Sequence, residues 1–409
     1  MRRSDFEVLK IPNLRRFFIA RALTVVNGSI APIAMAFAIL DLPGGDSQDL
    51  ALVEVCVVVS QLFAILIGGV LADRWSRVRT LVLGGSTAST GMFLLGIMLA
   101  IHVSHVGVYC IGAALTGLGS GLGFPVFTAL IADAVPESQR QSANGLFRLV
   151  INLSRVGGAG IAGLLIVTLG NAGTMFMVGS AFLLSALVVS GIKVHQLPGS
   201  GESAIKDLTD GWKEFVSYPW VVIVVLCSMV LNAMYAGTID VIGPVIAKSD
   251  LGGPRGWAFI MMCGSLGAFV GTVIALRLKY RRPLITATLI SFAMPLQIFL
   301  FSISSWLYVL ALGAALVGVS MDIFGVAWDG ALQREVAREK LSRVSSYDWF
   351  GSMVATPIGI IFAGWGAKHF GATVILPWMA LIAALSLTLP FFSRSVWNVK
   401  GPQASSSLP

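Results

Sequence analysis

Charge is what this 409-residue chain has least of. Asp, Glu, Lys and Arg together make up 12% of it, about half the share usual in soluble domains. Hydrophobic residues make up 56%, and the mean hydropathy is +0.85. That balance excludes a water-soluble globule, because most of the surface must be solvated by lipid. Paired metal or redox ligands are also missing. Cys56, Cys110, Cys227 and Cys263 stand singly in apolar segments, without the spacing a metal or dithiol centre needs. The four histidines fall at segment edges or in loops, so no imidazole is expected at membrane depth. No lysine follows a glycine anywhere, which excludes a Gly-x-x-x-x-Gly-Lys phosphate loop and with it an ATP-driven pump. The run Gly117-x-Gly119-x-Gly121-x-Gly123 lies in an apolar segment with no preceding strand, so it reads as helix packing and not as a nucleotide loop. No metal, cofactor or enzymatic activity is expected.

Long apolar runs are what the chain does have. A spanning helix needs about 20 mostly apolar residues, and twelve such stretches can be marked, at roughly 14–40, 52–73, 80–101, 107–132, 143–168, 172–192, 215–247, 256–276, 284–303, 306–333, 344–367 and 371–393. The basic start, Met1 to Arg16, leads into a run too long for a signal-peptide core and reads as a retained first span. Little chain remains outside the bilayer for a soluble domain. The net charge of +8 does not point to nucleic acid, because lysine and arginine alternate with loop parity. Arg2, Arg3, Arg74, Arg77, Arg79, Lys193, Arg281 and Arg338 belong to one side, and only Lys248, Arg255 and Lys368 to the other. By the positive-inside rule both termini are expected in the cytoplasm of a multi-pass cell-membrane protein.

The sequence also repeats. Shifted by 201 residues, Gly112-Ala113-Ala114-Leu115-x-Gly117 falls on Gly313-Ala314-Ala315-Leu316-x-Gly318. A repeat of that period predicts two pseudo-symmetric six-helix bundles with a solute site between them. The expected division is an N-terminal bundle at 1–193, a cytoplasmic linker at 194–214 containing Pro198-Gly199-Ser200-Gly201, and a C-terminal bundle with a short tail at 215–409.

Between the second and third stretches, Gly69-Val70-Leu71-Ala72-Asp73-Arg74-Trp75-Ser76-Arg77-Val78-Arg79 resembles the loop signature of the major facilitator superfamily. Ser76 and Val78 depart from it. The resemblance covers essentially the whole chain and implies the all-α twelve-helix fold of that family. It also implies a cytoplasmic gate in which Asp73 meets the eleventh helix while Arg77 pairs with Asp133. A carboxylate near a helix N-terminus is favoured by the macrodipole, so Asp73 is expected to act as a latch. In the fifth stretch Gly145, Ser154, Gly158, Ala159, Ala162 and Gly163 follow the small-residue spacing of the family's antiporter motif, without its proline. Gly145, Gly158 and Gly163 are therefore expected to form a close helix seam. Arg21 to Asn27-Gly28 and Arg343 to Asp348 are similar to the branch of macrolide and siderophore exporters.

Ionisable groups inside a membrane are costly and face the bundle interior or a wet cavity. The family fold lines its cavity with the first, fourth, seventh and tenth helices, which makes Arg21, Asn27, Asp240 and Asp322 the candidates for solute or proton contact. Arg148 and Arg155 share one face with Asn144 and Asn152, as Asp322 and Asp329 do with Gln333. Arg148, Arg155 and Asp348 lie on helices that flank the two halves and are expected to couple motion between them. Phe37, Phe124, Phe127, Tyr235, Trp328 and Trp349 are candidates for lining an apolar pocket. The expected function is alternating-access export of a drug-like or secondary-metabolite-like solute in exchange for protons, carried on a carboxylate with Asp322 the first choice. Import or facilitated diffusion of a small metabolite, and a non-transporting membrane sensor, are the alternatives. Membrane lipids surround the chain, and no obligate protein partner is implied.

Overall fold

The computed structural model describes residues 12–134, 140–192, 211–275, 277–278 and 280–401. Most of the expected linker, 194–210, lies outside them. Among the described residues every regular element is helical. Eleven stretches among the described residues are long and apolar enough to cross a bilayer. Their outer faces carry large apolar side chains such as Phe63, Ile358 and Leu385, each more than half exposed, which is a surface suited to lipid and not to water.

The chain folds into two compact units, Met1–Ser200 with Ala247–Met262, and Gly201–Ile246 with Cys263–Pro409. The first unit holds α1 (Pro12–Leu40), α2 (Ser47–Arg74), α3 (Arg77–Ala100), α4 (Val106–Ala134) and α5 (Arg140–Ser190). Its α2 begins with a capping box, Asp46 accepting from the backbone N–H groups of Gln48 and Asp49. Only Trp75 and Ser76 separate α2 from α3, and the Ser76 hydroxyl accepts the Arg79 N–H at 3.0 Å. Serine at this motif position is thus the N-cap of α3.

The apolar stretch within α5, Leu146–Ser190, has 45 residues, about 68 Å of helix and more than twice the hydrocarbon thickness. It is broken at Gly170, whose φ of 71° and ψ of 173° are open to glycine and strained for other residues. Contacts with α1 reveal the chain direction. Phe147 stacks on Phe17 with centroids 5.7 Å apart, and Gly158 lies against the Val26 carbonyl, so the first part of α5 runs parallel to α1. Beyond Gly170, Asn27 donates to the Val178 carbonyl at 3.4 Å, Ser185 donates to the Ala20 carbonyl at 3.0 Å and Arg16 to that of Gly191. The second part therefore returns antiparallel.

The second unit contains α6 (Pro219–Ala236), a π-helical turn (Gly237–Ile242), the first half of α7 (Gly243–Asp250), the C-terminal part of α8 (Pro254–Ala275) from Cys263 on, α9 (Pro283–Ile290), α10 (Ala293–Ile303), α11 (Leu307–Glu335), α12 (Arg338–Met353), α13 (Thr356–Phe370) and α14 (Ala372–Ser386). Pro357, in the first turn of α13, accompanies the break after α12. The repeated glycines do the same work in both units. A β-carbon on Gly117 would stand 2.2 Å from the Val57 carbonyl oxygen, and one on Gly318 would stand 2.0 Å from that of Gly264. Each repeat glycine thus lets two helix backbones touch. Among the expected seam residues, Gly158 meets Val26 and Ser29, and Gly163 meets Pro254 and Arg255. The surroundings of Gly145 lie outside the described side chains.

Candidate functional site

The second unit holds a half-open cavity of about 320 Å³, bordered by α6, α9, α10, α11, α12 and the segment after α14. Among its described lining residues Asp348 alone is charged. Its Oδ2 accepts the indole N–H of Trp328 at 2.8 Å, and the Ser352 hydroxyl, one helical turn further on, is within its reach. Trp328 is itself fixed, edge-on to Trp220 at 5.4 Å and stacked with Phe324 at 6.2 Å. Trp349 and three methionines, Met294, Met321 and Met353, form other parts of the wall.

The polar side chains around the wall are largely occupied by the protein. Thr288 donates to the Leu284 carbonyl at 2.8 Å and Ser291 to that of Ala287 at 2.9 Å, each closing a bond within its own helix. Asn232 donates to the Ser352 carbonyl at 3.1 Å. A solute here meets a polarisable wall of aromatic and methionine side chains, a few neutral polar groups and one carboxylate.

In the same unit Asp240 sits, half-buried, on the π turn, a helical irregularity common at functional positions. Tyr235, five residues earlier, donates its hydroxyl to Gln297 Oε1 at 3.1 Å. Gln297 is fully buried, and its Nε2 has no hydrogen-bond partner among the described residues. The turn lies where α6 and α13 touch, since a β-carbon on Gly237 would come 2.5 Å from the Gly359 carbonyl oxygen. Asp322 is half-buried, whereas Asp329 and Gln333 are exposed.

The first unit holds a smaller cavity, about 150 Å³, whose charged lining residue is Arg21. The Arg21 guanidinium lies 5.6 Å from the Phe147 ring centroid. Asn27 is 1% exposed and spans the contact between α1 and the returning part of α5. Arg148 and Arg155 are exposed, and Arg77 is half-buried. Asp73 and Asp133 fall on helices, but their side chains lie outside those described, as do those of Phe124 and Phe127. Of the aromatic candidates, Trp328 and Trp349 line the larger cavity, while Phe37 is packed in the core.

Sequence reasoning named Asp348 and Trp328 separately and missed the polar wall around them. The signal was present: Ser228 and Asn232 are four residues apart, and Thr288 and Ser291 three, so each pair shares a helix face.

A model of the Major Facilitator Superfamily matches residues 17–359, and the chain belongs to that superfamily. It is a multi-pass membrane transport protein for a small molecule and not an enzyme. The Multidrug efflux pump Tap of Mycolicibacterium fortuitum is 25% identical over 410 residues, covering 93% of this chain and 96% of that protein. The Enterobactin exporter EntS of Escherichia coli O1:K1 / APEC is 22% identical, covering 86% and 85% respectively. The crystal structure of the nucleoside transporter NupG superposes with a TM-score of 0.75 at 12% identity, covering 93% of this chain and 100% of that one. That likeness speaks for the fold alone.

Proposed function

We propose that this protein exports a small solute across the cell membrane by alternating access, in exchange for protons. The observation that carries the reading is the cavity of about 320 Å³ in the second unit, walled by apolar and aromatic side chains with a few neutral hydroxyl and amide groups and one carboxylate. Such a volume and lining suit a compact, drug-like molecule. The relatives named as a multidrug efflux pump and an enterobactin exporter support the outward direction. Counting the reversal at Gly170 as a turn between two spans, the eleven apolar stretches supply twelve crossings, and both termini face the cytoplasm. The two bundles correspond to 1–193 and 215–409, joined by the cytoplasmic linker 194–214. Asp73, Arg77 and Asp133 form the cytoplasmic gate, and Arg148 and Arg155 couple its motion to the cavity. The coupling proton resides on a carboxylate, Asp240 or Asp322, since ionisable groups at membrane depth face the bundle interior or a wet cavity and mark proton or solute paths.

The test is flux in proteoliposomes with imposed pH gradients, screened over hydrophobic antibiotics and siderophores. Uphill movement abolished by a protonophore is the expected result. Equilibration indifferent to the gradient would replace exchange by facilitated diffusion, and no flux of any compound would favour a membrane sensor.

A further inference from the structure

We propose that the cavity of the second unit binds an organic cation, an amine or quaternary ammonium on an apolar body, and that Asp348 is its counter-charge. The inference rests on the export reading for treating the occupant as cargo, and it deepens that reading by naming the chemical class.

Three observations converge on it. Asp348 faces the cavity as the one charged side chain among its described lining residues, and its two nearby donors, the Trp328 indole and the Ser352 hydroxyl, are both neutral. Among the described residues no cation pairs with it. A carboxylate held this way inside a membrane protein is short of a positive partner, which a ligand can bring. Next, the Thr288 and Ser291 hydroxyls and one N–H of Asn232 are already spent on backbone carbonyls. An anion would meet the like charge of Asp348, and a polyol would find few donors left to satisfy its oxygens. Lastly, the wall offers the aromatic side chains of Phe324, Trp328 and Trp349 together with three methionines. Aromatic faces attract cations, and methionines reshape around differing apolar bodies.

The test is equilibrium dialysis of radiolabelled benzyltrimethylammonium against the full-length purified protein. Neopentylbenzene, which has the same shape without the charge, serves as competitor. One saturable site per chain is expected, poorly displaced by the neutral hydrocarbon. Asp348→Asn should weaken binding by about tenfold or more, as removal of a charged partner does at a desolvated site. Asp348→Glu should restore much of it. Ser228→Phe, which fills the cavity without altering charge, should abolish binding. It keeps the proposal testable if Asp348→Asn fails to yield a monodisperse protein. Wild-type affinity in Asp348→Asn, unaltered binding in Ser228→Phe, or equal competition by neopentylbenzene would each overturn the proposal. The export reading fails separately. Asp348-dependent binding without flux in proteoliposomes defeats export and leaves the site standing, whereas flux of other solutes without cation binding does the reverse.

Discussion

Replacing Gly359 by alanine adds one methyl group at a place where the structure leaves none. A β-carbon there would stand 1.9 Å from the carbonyl oxygen of Ala233 and 2.4 Å from its carbonyl carbon, whereas ordinary contact begins at 3.4 Å. The shortfall is about 1.5 Å of overlap on the steep side of the van der Waals well. The obstacle is backbone, so no rotamer change relieves it, and α13 must move away from α6. Overpacking of this kind costs about 1–3 kcal/mol. The same substitution at Gly157 meets no atom within 4 Å. There the change from glycine to alanine inside a helix should gain about 0.5–1 kcal/mol. The two variants are therefore expected to differ by about 1.5–4 kcal/mol in opposite directions from wild type. Equilibrium unfolding in mixed micelles, followed by circular dichroism, measures the difference. Because the seam at Gly359 also holds the π turn bearing Asp240, Gly359→Ala should lower transport while Gly157→Ala leaves it near wild type. Gly359→Ala as stable as wild type, or both variants within about 0.5 kcal/mol of each other, would refute the close crossing.

The other expectations bear on different parts of the chain. Asp322→Asn should abolish uphill transport with insertion and expression unchanged; accumulation ratios at the wild-type level would remove Asp322 as proton carrier. Lys248, one of the few cations assigned to the non-cytoplasmic side, lies 2.8 Å from Asp41 and donates to the Leu40 carbonyl at the end of α1, while Asn171 donates to the other Asp41 oxygen at 3.0 Å. With both side chains of the Lys248–Asp41 pair nearly half exposed, a double-mutant cycle of Lys248→Met and Asp41→Asn should give a coupling of about 1 kcal/mol or less, shrinking with salt. Strict additivity at low salt would show that the pair contributes nothing. Reporter fusions after Gly401 and in the 75–76 loop should both report the cytoplasm, and a fusion at Gly170 the opposite side; ends on opposite faces would defeat the twelve-crossing reading.

The membrane-spanning architecture was legible because it depends on quantities that composition carries: run length, scarcity of charge and a repeat of glycines. The repeat shift of 201 residues even matched Gly117 to Gly318, which make equivalent backbone contacts. The Ser76 departure from the loop signature reads sensibly once its hydroxyl is seen capping α3. Other features resisted sequence reading for physical reasons. The π turn at Gly237–Ile242 leaves no periodic mark, since a single extra residue in one helical turn hardly alters an almost uniformly apolar pattern. The bond between Trp328 and Asp348 joins residues on different helices across a chain reversal, and no spacing rule reports it. Asp348 lies on a helix expected to flank the two halves, and its place on a cavity wall follows from tertiary packing that no sequence spacing reports. Thr288 and Ser291 gave a weak signal because hydroxyls can bond their own helix, and theirs do.

The two cavities show what duplication preserved and what it released. In the first unit the space around Arg21 is bordered by Gly28, Gly84, Gly85, Gly119 and Gly123. Several of these sit at backbone crossings, as at Gly84, where a β-carbon would come 2.7 Å from the Gly119 carbonyl oxygen. A wall of that kind is set by backbone and cannot reshape without parting helices. In the second unit the wall around Asp348 is made of side chains, methionine and aromatic with a few hydroxyl and amide groups among them, and side chains can change rotamer without parting helices. The charged lining residues also differ in sign, Arg21 in one cavity and Asp348 in the other, although the 201-residue shift places neither on the other. Close glycine crossings are thus common to both units, and it is the side chains lining the cavities, not the backbone contacts, that distinguish one unit from the other.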